Sequence, residues 1–281
     1  MFNTSLAKFV LHKRIYLESL SLIRFISTES ITTHQKSFTI SYLINSCGLS
    51  QQKAISAAKK INIKSSLNPD SVLTLLRTYG FSDSHISKLI ATYPEILLLR
   101  ADNNLKPKFE FFNSKGLFGD DFAKVFSREK VMGKSLEKNL IPSFDFLESI
   151  VGTDEKVLAM LKRNTNAIGK TKTIATNVAL LRAHDVPDSN TAKLLISQPR
   201  ALMAGVSRFS EIVKEVKEME FDPLRYMFLL AIRVLSAMSK SSLEAKFGVY
   251  KSWGLSEDQV QCAFRNFPYC MILSGERYVK I

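Results

Sequence analysis

Cysteine is sparse in this chain of 281 residues; the three present, Cys47, Cys262 and Cys270, are odd in number and show no C-x-x-C spacing. That excludes a disulfide framework and a zinc ribbon, and suits a reducing compartment. Glycine is also scarce, at 11 residues, which disfavours Gly-rich phosphate loops and sheets built on tight hairpins. No run of eighteen apolar residues occurs, so no membrane-spanning helix is expected. Histidines His12, His34, His85 and His184 are scattered, with no i, i+4 pair; no metal or other cofactor is expected. Hydrophobic residues at 46% and charged residues at 23% are ordinary for a folded soluble chain. The excess is in positive charge: 39 Lys+Arg against 26 Asp+Glu give a net charge of +13. A surplus of this size points to an anionic partner, nucleic acid before any other.

Residues 1–36 differ in kind from the rest. Lys8, Lys13, Arg14, Arg24 and Lys36 face only Glu18 and Glu29, and Ser and Thr are frequent among interspersed apolar residues. An amphipathic, acid-poor, Arg-containing start of this sort is the pattern of an organelle transit peptide. Arg24-Phe25-Ile26-Ser27 is similar to the cleavage context of mitochondrial presequences, so mitochondrion is expected before plastid. Cleavage would leave residues 37–281 with +10 of the +13, so the basic character belongs to the body.

That body is a repeat. Tyr79-Gly80-Phe81-Ser82-Asp83 runs to Tyr93-Pro94 as Trp253-Gly254-Leu255-Ser256-Glu257 runs to Phe267-Pro268, with the same distance from Gly to Pro. With the Gly as phase zero, further anchors fall at Gly48 and Gly116, and degenerate ones at Val151, Asp185 and Glu220. The spacing of about 35 residues is that of a helical-hairpin repeat. Phases +6, +9 and +10 carry apolar residues (Ile86, Leu89, Ile90; Phe122, Val125, Phe126; Val157, Met160, Leu161; Tyr226, Leu229, Leu230; Val260, Ala263, Phe264), the i, i+3, i+4 face of one helix. Phases −7 and −4 carry another such face, from Phe109 and Phe112 to Phe247 and Tyr250. Prolines agree: Pro69, Pro107 and Pro142 open first helices, Pro187 and Pro223 open second helices, and Pro94, Pro199 and Pro268 stop second helices. The expected fold is all-α, a solenoid of about seven two-helix units.

The order helix, Gly-apolar-Ser-Asp/Glu, helix, Pro, aliphatic tail (Pro94-Glu95-Ile96-Leu97, Pro199-Arg200-Ala201-Leu202, Pro268-Tyr269-Cys270-Met271) resembles the mitochondrial transcription termination factor (mTERF) family in its expanded plant form. So do Leu105-Lys106-Pro107-Lys108-Phe109-Glu110-Phe111-Phe112 and the opening Phe38-Thr39-Ile40-Ser41-Tyr42-Leu43. The resemblance covers residues 38–281. It implies a right-handed superhelix of two-helix units with a short 3₁₀ turn each, import into an organelle, and a non-enzymatic role on organellar DNA or RNA in transcription termination or initiation, or intron splicing. The chain departs from the pattern where the middle repeats lose Gly and Pro, and it is shorter than the resemblance implies by at least one C-terminal repeat.

No catalytic constellation is legible. Gly169-Lys170-Thr171 imitates the end of a P-loop, but Asn164 stands where the leading Gly is required. Asp120-Asp121 reads as a helix start. Cations instead recur by phase, and equal phases of a repeat share a face. Phase −3 holds Arg77, Arg182, Lys217 and Lys251, opposite no obvious acid; +11 and +12 hold Lys59, Lys60, Arg128, Lys162, Arg163 and Arg265; the inter-repeat turns hold Arg100, Lys134, Lys170, Lys172 and Lys240. Cations at helix C-termini serve the dipole as well as a phosphate, whereas the turn cations have no comparable structural motive. Seven units about 10 Å apart would span about twenty base pairs. With most aromatics at core phases, phosphate contacts are expected over base stacking. The expected partner is organellar DNA or RNA, engaged by a monomer, with no small-molecule substrate and no membrane. The alternative is a protein scaffold in organellar ribosome assembly.

Overall fold

The computed structural model describes residues 36–127 and 130–272; all but the last residue of the expected transit peptide, and the candidate Arg128, lie outside the described residues. Among the described residues the secondary structure is helical throughout, with no strand. Seven helix pairs follow one another: α1 (36–45) with α2 (Gln51–Ala58), α3 (Leu67–Thr78) with α4 (Asp83–Thr92), α5 (Lys106–Ser114) with α6 (Gly119–Phe126), and α7 (Ile141–Val151) with α8 (Asp154–Arg163). The last three are α9 (Thr171–Arg182) with α10 (Asp188–Ser197), α11 (Val206–Glu218) with α12 (Tyr226–Ala237), and α13 (Lys240–Ser252) with α14 (Glu257–Asn266). The chain divides into two units at Lys106 and Pro107.

What makes each pair is its turn. At six of the seven anchors the first helix ends in a left-handed residue: Gly48, Gly80, Gly116, Asp185, Glu220 and Gly254 all have φ between +61° and +93°. At five of them the next N–H reaches back to the carbonyl five residues earlier, as in Phe81 to Leu76 (3.0 Å), Leu117 to Phe112 (2.9 Å) and Val186 to Leu181 (3.1 Å); at Gly48 the turn is wider, Leu49 bonding Leu43 and Gly48 bonding Ile44, both at 3.1 Å. In those five the anchor N–H bonds the carbonyl three back, as in Gly80 to Arg77 and Asp185 to Arg182, both at 3.0 Å. This is the Schellman arrangement, and it explains the apolar residue after each anchor: Leu49, Phe81, Leu117, Val186 and Phe221 are buried there. The exception corrects the register. The left-handed residue of the fourth pair is Gly152, φ +98°, not Val151, which is still helical and buried. Gly152 makes a single bond, to the Glu148 carbonyl at 2.7 Å, and Thr153 caps α8 at once. The turn is therefore shorter, and no apolar residue separates glycine from cap.

The expected stops are found. Pro94, Pro199 and Pro268 each follow the last residue of α4, α10 and α14 by one cap residue and open 3₁₀ turns, Pro94–Leu98, Pro199–Met203 and Pro268–Met271. Where the fourth repeat has Thr165 instead of Pro, a 3₁₀ turn forms all the same, over Thr165–Gly169. There the Thr165 hydroxyl donates to the Val125 carbonyl at 2.8 Å, tying this turn to α6. Pro187 is the cap of α10, but Pro223 stands three residues before α12, in a turn rather than at a helix start.

In the first unit, Thr39 on α1 accepts the Ile63 N–H at 3.0 Å and Tyr42 donates to Asp70 at 2.6 Å. Asn68 holds the following 3₁₀ turn by donating to the Leu97 and Leu99 carbonyls. In the second unit the core begins with five phenylalanines, Phe109, Phe112, Phe122, Phe126 and Phe144, all fully buried, with ring centroids 4.7 to 6.4 Å apart. Each contributes about 1.5–3 kcal/mol by burial. Beside them Lys108 is buried, its ammonium donating to the Met132 carbonyl at 2.7 Å. The core phases thin out in the last pair. Phe247 and Tyr250 are only half-buried and Ala263 is exposed, because α13 packs chiefly on α14. Tyr226 is likewise half-buried, leaving Phe228 and Leu229 to fill the face of α12.

Candidate nucleic-acid interface

Every hairpin repeat has two kinds of connection, and the second unit segregates charge between them. Inside a repeat, four of the five second helices of this unit start with an acid in the first turn: Asp120 and Asp121 on α6, Asp154 and Glu155 on α8, Asp188 on α10, Glu257 and Asp258 on α14; α12 starts with none. Acids there favour the helix dipole. Between repeats, α9, α11 and α13 start with none, whereas the π-turns Ala101–Leu105 and Leu136–Leu140 that run directly into α5 and α7 carry Asp102 and Glu137.

The acids claim the phase −3 cations, against expectation. Arg182 meets Asp188 with two bonds, 2.8 and 3.2 Å, and Lys251 meets Glu257 at 2.8 Å; in the first unit Arg77 meets Asp83 at 3.2 Å. Each pair is six residues apart, a spacing with no meaning on a straight helix. It closes here because the left-handed turn folds phase +3 back beside phase −3. Lys217 has Pro223 at that position and instead lies 3.3 Å from His184 Nδ1. The pair at Arg182 raises the guanidinium's proton affinity through the Asp188 hydrogen bond.

The +11/+12 set divides. Lys162 donates to Asp121 of the preceding repeat at 2.6 Å, and that bond holds the Asp121 carboxyl below the usual range. Arg265 meets Glu220 at 2.7 Å. Lys59 and Lys60 are exposed at the end of α2 in the first unit. Arg163 has no carboxylate partner among the described residues; its Nη1 donates to the Ala159 carbonyl at 3.1 Å on its own helix.

The turn cations stand apart from all of these. Lys170, Lys172 and Lys240 are exposed and form no ion pair among the described residues. Lys134 donates to the Gly169 carbonyl at 3.5 Å, from one inter-repeat turn to the next. The 3₁₀ turns Lys130–Gly133, Thr165–Gly169 and Pro199–Met203 touch in succession, so this side of the unit is continuous. Arg100 occupies the equivalent turn of the first unit, exposed and without an ion pair among the described residues.

Two further arginines join this side that phase reasoning overlooked. Arg200, on the Pro199–Met203 turn, and Arg233, on α12, line a cleft of about 710 Å³ together with Arg163. Arg233 Nε donates to the Gln198 side-chain oxygen at 3.0 Å. No other anchor has a cation at their phases, so recurrence could not reveal them.

One family model, mTERF, matches residues 73–281 of this helical-repeat chain. The chain belongs to the mTERF family. Membership carries the coarse reading of a nucleic-acid-binding helical-repeat protein of organellar gene expression, a family whose members are not typically enzymes. No curated protein matches the chain. The P-loop likeness of this mTERF chain dissolves in its fold, since Gly169-Lys170-Thr171 joins a 3₁₀ turn to α9 and follows a helix rather than a strand. Burial pushes the Cys47 thiol up to about 12, so it holds its proton at neutral pH. Among the described residues no three His, Cys, Asp or Glu side chains are grouped to hold a metal ion, and no helix is long and apolar enough to cross a membrane.

Proposed function

We propose that the chain is an organellar regulator of transcription or RNA processing that grips the phosphate backbone of DNA or RNA along its inter-repeat turns, as a monomer. The observation that carries this reading is the segregation of charge. Arg182 and Lys251 on the intra-repeat side are matched by acids, whereas Lys170, Lys172, Arg200 and Lys240 on the inter-repeat side have no ion-pair partner among the described residues. The acid-free N-termini of α9, α11 and α13 add partial positive charge to the same side. The amphipathic segment 1–36 supports delivery to mitochondria, and residues 37–281 are then the mature chain.

Fluorescence anisotropy of the full mature chain with labelled duplex DNA and with single-stranded RNA, over 50–200 mM salt, tests the reading. About six phosphate contacts on a duplex give a log–log slope near −5. A flat salt dependence on both probes would leave the protein-scaffold alternative in its place. For localisation, residues 1–36 fused to a fluorescent reporter should enter mitochondria; cytosolic signal would end that part of the proposal.

A further inference from the structure

The cleft between the ends of α8, α10 and α12 collects three guanidinium groups, Arg163, Arg200 and Arg233, from three successive repeats. Its lining contains no carboxylate. Its amides are also oriented as donors. The Gln198 oxygen is engaged by Arg233 (3.0 Å) and the Asn164 oxygen by the Asn166 N–H (3.1 Å), which leaves both NH₂ groups to donate. With its Nε so engaged, Arg233 keeps its two terminal nitrogens for a ligand, the fork that matches phosphate oxygens.

The competing explanation is that the arginines merely offset helix C-termini, and magnitudes decide against it. Three helix ends supply about −0.5 charge each, so the guanidinium groups exceed them by about 1.5 charges. Position agrees. Arg163 is in the last turn of α8 and bonds its own helix, but Arg233 lies outside the last turn of α12 and Arg200 is on a 3₁₀ turn.

We propose that this cleft is a seat for a phosphate group, filled by a backbone phosphate of a bound strand and also open to free phosphate. Phosphate ions then compete with the strand beyond their contribution to ionic strength. The identity of the strand as occupant rests on the function proposed above; the seat itself does not.

The test uses the full mature chain and inorganic phosphate. At about ten times its dissociation constant, phosphate should raise the melting temperature by about 3 °C over chloride of matched ionic strength. The double variant Arg200→Gln/Arg233→Gln, folded by circular dichroism, should lose that rise. Arg200→Lys/Arg233→Lys, with charge but no fork, should keep only part of it. The same phosphate should weaken binding of a labelled 20-mer at least fivefold more than matched chloride, in the wild type alone. Failure of phosphate to raise the wild-type melting temperature overturns the seat, even if the 20-mer binds with the expected salt slope. An Arg-dependent rise without any 20-mer binding keeps the seat and removes the polynucleotide from it.

Discussion

The two kinds of turn in the second unit use the same residue types to opposite ends. On the intra-repeat side, Arg182 and Lys251 are consumed by Asp188 and Glu257, and backbone geometry fixes the connection. On the inter-repeat side, Lys170, Lys172, Arg200 and Lys240 precede or begin helical segments that open without an acid, and they form no ion pair among the described residues. A recurring cation thus says little by itself. What decides its role is whether the next helix begins with a carboxylate within reach. One side holds the hairpin together; in the function proposed above, the other meets an anion.

The sharpest way to break this contrast is to neutralise one side at a time. Lys170→Gln, Lys172→Gln, Arg200→Gln and Lys240→Gln together should cost about a thousandfold in affinity near 0.1 M salt and flatten the salt slope by about 3.6 on a duplex. Equal weakening across sequences is expected, because phosphate contacts position and do not specify. Unchanged anisotropy titrations would show that the unpaired cations only solvate the surface.

Backbone changes on the intra-repeat side come next, and should move stability while sparing binding. Gly116→Ala and Gly152→Ala force a Cβ into left-handed turns at φ +93° and +98°, and each should cost about 1–2 kcal/mol. Asp185→Gly runs the other way. Asp185 pays for φ +61° without glycine's freedom, so relief of about 1 kcal/mol is expected in urea denaturation. A destabilised Asp185→Gly variant would mean that its side chain does more than tolerate the turn.

Smaller still is the effect of opening a paired cation. Arg182→Gln breaks an exposed pair, for which about 0.2–1 kcal/mol is usual, and its affinity for a 20-mer should stay within about twofold. A loss comparable to that of an inter-repeat lysine would erase the distinction between the two sides.

Helix periodicity and proline placement made the seven pairs legible in sequence, down to the stops at Pro94, Pro199 and Pro268. The register slipped at Val151 because the fourth pair replaces the Schellman turn with a shorter one, and apolar phases alone do not distinguish the two. Partners of the phase −3 cations were hidden because a six-residue spacing becomes a contact only after a left-handed residue reverses the chain. Arg200 and Arg233 were illegible for another reason. They meet through the packing of non-equivalent positions, which a phase argument discards by construction.

Lys108 carries a last consequence, in proton linkage. Its side chain is buried with the ammonium on the Met132 carbonyl, and burial pulls its pKa below the ordinary lysine value, the charge of Glu137 opposing this only in part. The unfolded chain therefore binds this proton more tightly than the folded one. Its contribution makes the fold more stable as pH rises from the lowered folded value to that of a free lysine. Asp121, its carboxyl held down by Lys162, acts at the other end of the scale: what it contributes is present above the free carboxylate range and is lost as pH falls. Urea midpoints of wild type and Lys108→Met compared between pH 8 and pH 10 should therefore diverge, with the wild type gaining relative to the variant as the solution becomes more alkaline.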